Sequence, residues 1–131
     1  YLDMAEKIYN FIFNNPNLPE DLVPYWDFDA PNIPNEPRDA SAAACTASAL
    51  YELSTYISGK NYKETADKIM ENLGSPAYRA EVGTNGNFIL MHSVGSIPHG
   101  AEIDVPLNYA DYYFLEGIMR KRDLESNKKL F

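Results

Sequence analysis

The stretch Asp39-Ala-Ser-Ala-Ala-Ala-Cys-Thr-Ala-Ser-Ala-Leu50 consists almost entirely of very small residues. Asp39 is a good N-cap and Ser58-Gly59 is a stop signal, so the sequence predicts a helix from about Ala40 to Ile57. This helix has no polar face, and a helix that is apolar or small on every side is buried all round. We therefore expect it to be the most buried helix of an all-α fold.

Three further helices are predicted around it. The first runs from about Leu2 to Asn14, where Asn15-Pro16 stops it. The next is capped by Asn61, carries an apolar stripe and a charged face, and ends at Gly74. The last begins near Asp104 or Pro106 with one apolar face formed by Leu107, Ala110, Phe114, Gly117 and Ile118. Residues 75–81 are a candidate for a further helical stretch.

A fold of four helices in total cannot surround one of them that is apolar on all sides, so the pattern indicates missing partner helices. Alternation of a buried small-residue helix with an amphipathic outer one is typical of helical hairpins arranged around a toroid. The chain also begins inside an amphipathic helix, at Tyr1-Leu2, without a methionine. We therefore expect residues 1–131 to be one segment of a larger domain, truncated at its N-terminus. Its localisation stays open between cytoplasm and periplasm.

Composition excludes several function classes. The formal charge of −8 leaves no basic stripe to neutralise phosphates, so we expect no nucleic-acid partner. No apolar run is long enough to cross a membrane, and we expect no membrane partner. The single cysteine, Cys45, excludes an internal disulfide and makes a metal-thiolate site a poor interpretation. We expect Cys45 to be an inert packing residue on the buried helix.

The proline-bounded loop Pro24-Tyr-Trp-Asp-Phe-Asp-Ala-Pro31 has the chemistry of a carbohydrate cleft, with flat apolar faces for a sugar ring and acceptors for its hydroxyls. Trp26 is a candidate sugar platform, with simple core packing as the alternative. Asp27 and Asp29 would face the same way in extended backbone and could form an acid/base pair. In the alternative, one of them caps a turn and the other pairs with Arg38.

Arg38 and Asp39 lie where the small-residue helix begins, which is a natural place for a ligand that bears a carboxylate. The alternative has Asp39 as the cap and Arg38 as its solvated neighbour. Asp111, followed by Tyr112, lies inside a helix, where an aspartate is intrinsically unfavourable. It needs a local reason, either a buried hydrogen-bond partner or the cleft.

His92 and His99 bracket the loop that contains Ser93 and Ser96. Two histidines without a third ligand in a clear pattern are weak evidence for zinc. A hydrogen-bonding or purely structural role is the better interpretation, and we predict no metal site.

Four collinear motifs carry a resemblance to a known family: Tyr25-Trp-Asp-Phe-Asp29, Arg38-Asp-Ala-Ser-Ala-Ala-Ala44, Ile103-Asp-Val-Pro-Leu107 and Tyr109-Ala-Asp-Tyr-Tyr-Phe-Leu-Glu116. They resemble the C-terminal part of the unsaturated glucuronyl hydrolases, glycosyl hydrolase family 88, with the unsaturated rhamnogalacturonyl hydrolases as cousins. The resemblance implies an (α/α)6 barrel of which this chain supplies roughly the last third, next to the missing N-terminal part of the same barrel.

The resemblance also implies the chemistry. Polysaccharide lyases leave a C4=C5 unsaturated uronic acid at the non-reducing end of an oligosaccharide, and the family hydrates this vinyl ether. An aspartate acts as general acid and base, the resulting hemiketal collapses to a keto-uronate, and no metal or organic cofactor is required. The family's catalytic aspartates lie upstream of the matched region, so we expect no catalytic residue in this chain.

The resemblance implies that the substrate is an unsaturated uronic-acid oligosaccharide. We expect this chain to supply residues at the rim of the substrate cleft. In the family, the counterpart of the 92–99 loop faces the sugar beyond the cleaved bond. The residues that we expect to bind the substrate are Trp26, Asp27, Asp29, Arg38, Asp39, His92, Ser93, Ser96, His99, Asp111 and Tyr112. Two alternatives stay open: a non-catalytic helical carbohydrate-binding or scaffold domain, and the rhamnogalacturonyl cousin with another aglycone.

Overall fold

The computed structural model describes residues 1–126, and most of its regular structure is helical. Between the third and fourth helices lie a short 3-10 turn and a two-stranded antiparallel ribbon. In chain order the elements are α1 (Leu2–Phe13), α2 (Ala40–Tyr56), α3 (Tyr62–Leu73), the 3-10 turn (Asn85–Asn87), β1 (Ser93–Ser96), β2 (Ala101–Val105) and α4 (Asn108–Glu125).

Helix α2 lies between α3 and α4 and packs on both. Asp39 caps it as predicted, because its carboxylate accepts the backbone N–H groups of Ser41 at 3.0 Å and Ala42 at 3.4 Å. Small side chains let the neighbouring helices approach closely, and α2 contributes the largest share of the buried core. Its buried residues are Ala40, Ser41, Ala43, Ala44, Ala47, Ser48, Leu50, Tyr51 and Leu53.

One face of α2 is not buried, which corrects the prediction for Cys45. The thiol is exposed and lies with Ala49 along an open groove between α1 and α2. The interpretation of Cys45 as a buried packing residue is therefore wrong for residues 1–126. The composition of α2 does not distinguish its faces, so the sequence alone could not say which one would be covered.

Helices α3 and α4 pack their apolar faces against α2. The stripe predicted for α3 is confirmed, with Tyr62, Ala66, Ile69, Met70 and Leu73 all buried. Asn61 occupies the N-cap position of α3, but its side chain makes no capping hydrogen bond.

Helix α4 buries Ala110, Phe114 and Gly117, whereas Ile118, predicted on the same face, is exposed. At Gly117 a methyl group would lie 3.0 Å from the sulfur of Met70, so α4 approaches α3 closely here and a larger residue would have to displace the Met70 side chain. The helix begins at Asn108, two residues after Pro106, so of the two predicted starts Pro106 is near and Asp104 is wrong, because β2 continues to Val105.

The ribbon was not predicted. Its register pairs Ser93 with Val105, Val94 with Ile103 and Ser96 with Ala101, with a bulge between Ser93 and Val94. Residues 75–81 form turns and not the further helical stretch, and Arg79 then pairs with Leu90 in an isolated bridge.

The outer surface carries many large apolar side chains. Every side chain of α1 stays at least partly exposed, and Leu2, Met4, Ile8 and Phe11 are among the exposed ones. On α4, Leu115, Ile118 and Met119 face outward. These faces fit a segment that packs against further helices. None of the helices within residues 1–126 is long and apolar enough to span a lipid bilayer.

Candidate functional site

A cavity of about 180 Å³ lies where the proline-rich loop folds against α1 and the start of α2. Three of the predicted substrate-binding residues line it: Trp26, Asp27 and Asp39. The volume is below that of typical ligand pockets, about 300–1,000 Å³, so it suits one sugar-sized group and not an oligosaccharide. The other lining residues are Ile12, Phe13, Leu22, Pro24, Tyr25, Phe28, Ala42, Ala43 and Thr46.

The base of the loop is held by paired backbone. Trp26 donates its N–H to the carbonyl of Pro37 at 3.1 Å, and Asp39 donates to the carbonyl of Pro24 at 2.8 Å. Tyr25 and Arg38 form the antiparallel bridge between these two contacts. The arms are therefore fixed at the N-terminus of α2, and residues 27–36 form the loop between them, of which Asp27 and Phe28 line the cavity.

Trp26 is oriented by a carboxylate that the sequence did not single out. Its indole Nε1–H donates to Oε2 of Glu36 at 2.8 Å, and the other oxygen of Glu36 accepts the backbone N–H of Asn32 at 2.9 Å. The indole hydrogen bond is the main reason that the pKa of Glu36 lies below its ordinary value. Trp26 is thus half-buried, fixed and in contact with the cavity.

Asp27 and Asp29 do not form the predicted pair. Asp27 accepts the backbone N–H of Asp29 at 2.8 Å, which closes a turn at Phe28, and so the extended backbone that the pairing required is absent here. Both carboxylates are exposed, but only Asp27 lines the cavity. The alternative is confirmed for its first half, because Asp27 caps a turn. Its second half is wrong, because the ion pair of Arg38 is made with Asp21.

Arg38 holds the base of the loop. Besides its ion pair with Asp21, it donates from Nε to the carbonyl of Val23 at 2.9 Å and stacks over the ring of Tyr25 at 5.1 Å. Asp21 in turn accepts the hydroxyl of Tyr78 at 2.7 Å. Arg38 is therefore not the solvated neighbour of Asp39. Its role toward a ligand carboxylate stays a prediction, and a ligand would have to share this guanidinium with Asp21.

The ribbon joins the site at the first turn of α2. Oδ1 of Asp39 accepts the N–H of Val94 at 3.4 Å as well as the hydroxyl of Ser41 at 2.6 Å. Ala40 donates its N–H to the carbonyl of His92 at 2.9 Å. These contacts bring the 92–94 segment next to Asp39 and the cavity.

The two histidines have separate partners. His92 Nδ1 lies 2.7 Å from Oδ1 of Asp104, and His99 Nδ1 lies 2.7 Å from the hydroxyl of Ser96 near the tip of the ribbon. Ser93 is fully buried, and its hydroxyl has no hydrogen-bond partner among residues 1–126. The same part of the chain contains no group of three or more His, Cys, Asp or Glu residues that could hold a metal ion.

Asp111 lies in the first turn of α4, where a negative charge is favourable, so the prediction that it lies in the interior of a helix is wrong. Its two oxygens accept the backbone N–H groups of Ile89 at 2.8 Å and Leu90 at 2.9 Å, so it ties the 88–91 segment to α4. Of the two reasons considered, the hydrogen-bond partner is confirmed. Tyr112 is exposed, and its hydroxyl lies 3.4 Å from Glu116, one turn further along α4.

Comparisons with known proteins match the sequence and the fold of this chain to one group of enzymes. No protein-family model matches the chain. An unsaturated glucuronyl hydrolase of Formosa agariphila is 50% identical over 124 residues, which are 95% of this chain and 31% of that protein. The crystal structure of an unsaturated glucuronyl hydrolase specific for heparin superposes with a TM-score of 0.92 at 48% identity, over 95% of this chain and 34% of that chain. The resemblance to the unsaturated glucuronyl hydrolases is confirmed.

A further unsaturated glucuronyl hydrolase structure holds a ligand. It is a variant from Streptococcus agalactiae in complex with dGlcA-GalNAc6S, and it superposes with a TM-score of 0.73 at 29% identity over 82% of this chain and 30% of that chain. The chain spans about a third of the length of the relatives it matches. The described helices thus correspond to part of the unsaturated glucuronyl hydrolase fold, in agreement with the prediction that the chain is part of a toroid.

Seen as part of an unsaturated glucuronyl hydrolase fold, the predicted residues are spread over several places, and Arg38 lies at the base of the loop with Asp21 and Val23. Trp26, Asp27 and Asp39 meet at the cavity, and His92 and Ser93 adjoin it through the start of α2. Asp29 lies outside the cavity on the same loop, Ser96 and His99 lie further out on the ribbon, and Asp111 and Tyr112 belong to α4.

Sequence reasoning missed two aromatic residues near the site. Tyr25 lines the cavity, and its position beside Trp26 in the quoted loop was the available signal. Tyr109, at the start of α4, has its pKa raised by partial burial and by the negative charges of Glu102 and Asp39. Tyr109 is exposed and does not line the cavity.

Proposed function

We propose that the full-length protein that carries this chain is a glycoside hydrolase that acts on unsaturated uronyl oligosaccharides left by polysaccharide lyases. The observation that carries the proposal is the combination of 50% identity over 95% of the chain and a TM-score of 0.92 with proteins named for this activity. The reaction would hydrate the C4=C5 vinyl ether, and the catalytic aspartate would come from a part of the protein outside residues 1–131.

In this proposal the chain supplies binding groups and not the proton donor. Trp26, Asp27 and Asp39 line the cavity, and we assign the indole ring to stacking on a sugar and the two carboxylates to accepting its hydroxyl groups. Two carboxylates at one small cavity would repel the carboxylate of the unsaturated uronate. We therefore assign this cavity to hydroxyl-rich, uncharged parts of the substrate, and the uronate to groups elsewhere in the protein.

The alternatives are weaker. A non-catalytic carbohydrate-binding or scaffold domain is not favoured, because the matched relatives are named as hydrolases. Nothing in residues 1–126 favours the rhamnogalacturonyl cousin. An unsaturated glucuronyl disaccharide is the substrate class to test first, since a neighbouring structure holds dGlcA-GalNAc6S.

The test is a spectrophotometric assay of the full-length protein. The conjugated double bond of the unsaturated uronate absorbs ultraviolet light, so hydration should abolish this absorbance. We expect the loss to proceed without added metal and in the presence of a chelator. An unchanged absorbance with a panel of unsaturated disaccharides would refute the proposed activity. Inhibition by chelator that zinc reverses would refute the metal-free reaction and make His92 and His99 candidates for ligands once more.

A further inference from the structure

We propose that Glu36 is a positioning residue for Trp26, holding the indole as a stacking platform for a sugar ring of the substrate. This inference rests on the function proposed above, and it deepens it by naming how the cavity recognises its ligand. Glu36 touches the cavity only through Trp26, so it acts by orienting another side chain.

The contacts of Glu36 form a clamp across the projecting loop. One carboxylate oxygen accepts the indole N–H of Trp26, and the other accepts the backbone N–H of Asn32, on the opposite side of the loop. A carboxylate that receives two N–H groups makes hydrogen bonds about twice as strong as those between neutral groups. Glu36 therefore fixes both the rotation of the indole and the course of residues 32–36.

The backbone on either side of the clamp is already restrained. Trp26 is paired with Pro37 through the backbone contact described above, and the loop between them contains Pro31 and Pro34. The backbone of Trp26 therefore has little freedom, and its side-chain rotation is what remains to be set. The hydrogen bond to Glu36 sets it, with the half-buried ring lining the cavity beside Asp27 and Asp39.

This arrangement decides how Trp26 can bind a ligand. An indole has a single polar hydrogen, and Glu36 already accepts it, so no donor is left for a sugar hydroxyl. Trp26 therefore recognises its ligand through the ring face alone, while Asp27 and Asp39 accept hydroxyl groups. A sugar that presents an apolar face on one side and hydroxyls at its edge fits this division.

The experiment is a double-mutant cycle in the full-length protein, with KM and kcat measured on an unsaturated disaccharide. Glu36→Leu should raise KM about tenfold and leave kcat within about twofold, because the hydrogen bond to a charged group is lost and the ring is no longer fixed. Glu36→Gln keeps an acceptor oxygen and should stay within about threefold of the wild-type KM. Glu20→Leu, at an exposed turn of the same loop region, is the matched control and should leave KM unchanged.

The decisive comparison uses the Trp26→Ala background. If Glu36 acts through Trp26, then Glu36→Leu should add no further increase in KM once the indole is absent. A second readout is the NMR signal of the Trp26 indole N–H, which should shift toward a weaker hydrogen bond in Glu36→Leu. It should remain near its wild-type position in Glu36→Gln.

The possible outcomes distinguish a failure of the positioning role of Glu36 from a failure of the proposed hydrolase function. A wild-type protein that leaves every unsaturated disaccharide intact overturns both. A wild-type protein that consumes substrate, together with an equal KM increase from Glu36→Leu in the presence and absence of Trp26, overturns the positioning role alone. An unchanged KM in a folded Glu36→Leu variant does the same.

Discussion

Removal of the carboxylate of Asp67 should destabilise the packing of three helices at once. Asp67 lies on α3 and accepts the hydroxyl of Tyr51 from α2 at 2.8 Å, with Lys63 Nζ at 2.7 Å and Lys121 Nζ from α4 at 2.9 Å. Partial burial alone would raise the pKa of Asp67, but hydrogen bonds from Lys63, Lys121 and Tyr51 outweigh it and lower the pKa to about 2.

The structure sets the expected magnitudes. The lowering of the Asp67 pKa from 3.8 to about 2 corresponds to about 2 kcal/mol before solvent screening. Because the Asp67 side chain is 29% exposed, we discount the electrostatic part to about 1 kcal/mol. Asp67→Asn keeps an acceptor for Tyr51 and should cost this amount. Asp67→Ala also leaves the hydroxyl of fully buried Tyr51 without its partner, which adds about 1–3 kcal/mol.

The pH dependence has a definite sign. The pKa of Asp67 is lower in the folded than in the unfolded state, so its contribution is complete above about pH 4 and is lost as the pH falls through about 2. The free energy of unfolding of wild type and of Asp67→Asn should therefore converge between these values. The pKa of Tyr51 is raised by burial and by its hydrogen bond to Asp67, so the phenol remains a donor throughout this range.

The assay is urea unfolding of the full-length protein, followed by circular dichroism at several pH values between 7 and 2. Glu71→Gln, an exposed carboxylate one turn along α3, is the control and should change the free energy of unfolding by less than about 0.5 kcal/mol. A cost below about 0.5 kcal/mol for Asp67→Ala would refute the reasoning. So would a difference between wild type and Asp67→Asn that stays constant down to the lowest pH.

Three further predictions follow from the same structure. Asp111→Ala should cost about 2–3 kcal/mol in thermal or urea unfolding, because the N–H groups of Ile89 and Leu90 lose their acceptors, and Asp111→Asn should cost less because one acceptor oxygen remains. Gly95→Ala should displace the ribbon, since the new Cβ would lie 2.7 Å from the Cβ of Glu102, and faster amide exchange in β1 and β2 would reveal it. The isolated 131-residue chain should be inactive and should self-associate through its exposed apolar faces in sedimentation equilibrium, whereas a cooperatively folded monomer would contradict this.

The helices could be predicted because their signals are local. Asp39 before a run of small residues, and an apolar stripe ending at Gly74, each fix an element within one or two turns, and the structure confirms both. The prediction of a hydrogen-bond partner for Asp111 is confirmed, but its premise is wrong, because Asp111 lies in the first turn of α4 and not in the helix interior. The identity of that partner, the backbone of the 88–91 segment, depends on tertiary contacts and could not be read locally.

The ribbon and the loop contacts lacked such signals. Strand β2 has no alternation of buried and exposed residues. Glu102 and Asp104 have positive φ angles, which could not be predicted from the sequence around them. The ion pair of Arg38 with Asp21 spans 17 residues of irregular chain, so a nearer aspartate, Asp27 or Asp29, was the natural expectation from spacing. Distance along the sequence is a poor guide to side-chain partners wherever the backbone has no regular period.

The carboxylates of Asp27 and Asp39 accept backbone N–H groups, so replacing either one changes the local backbone as well as the groups available to a ligand. Oδ1 of Asp39 accepts N–H groups from Ser41, Ala42 and Val94, so Asp39→Ala would remove the cap of α2 and the anchor of the ribbon together. Asn is as good an N-cap as Asp, so Asp39→Asn would keep the cap and the anchor and remove only the negative charge. A loss of substrate affinity in Asp39→Asn would therefore report on electrostatics at the cavity, and the difference between Asn and Ala would report on the backbone that Asp39 holds in place.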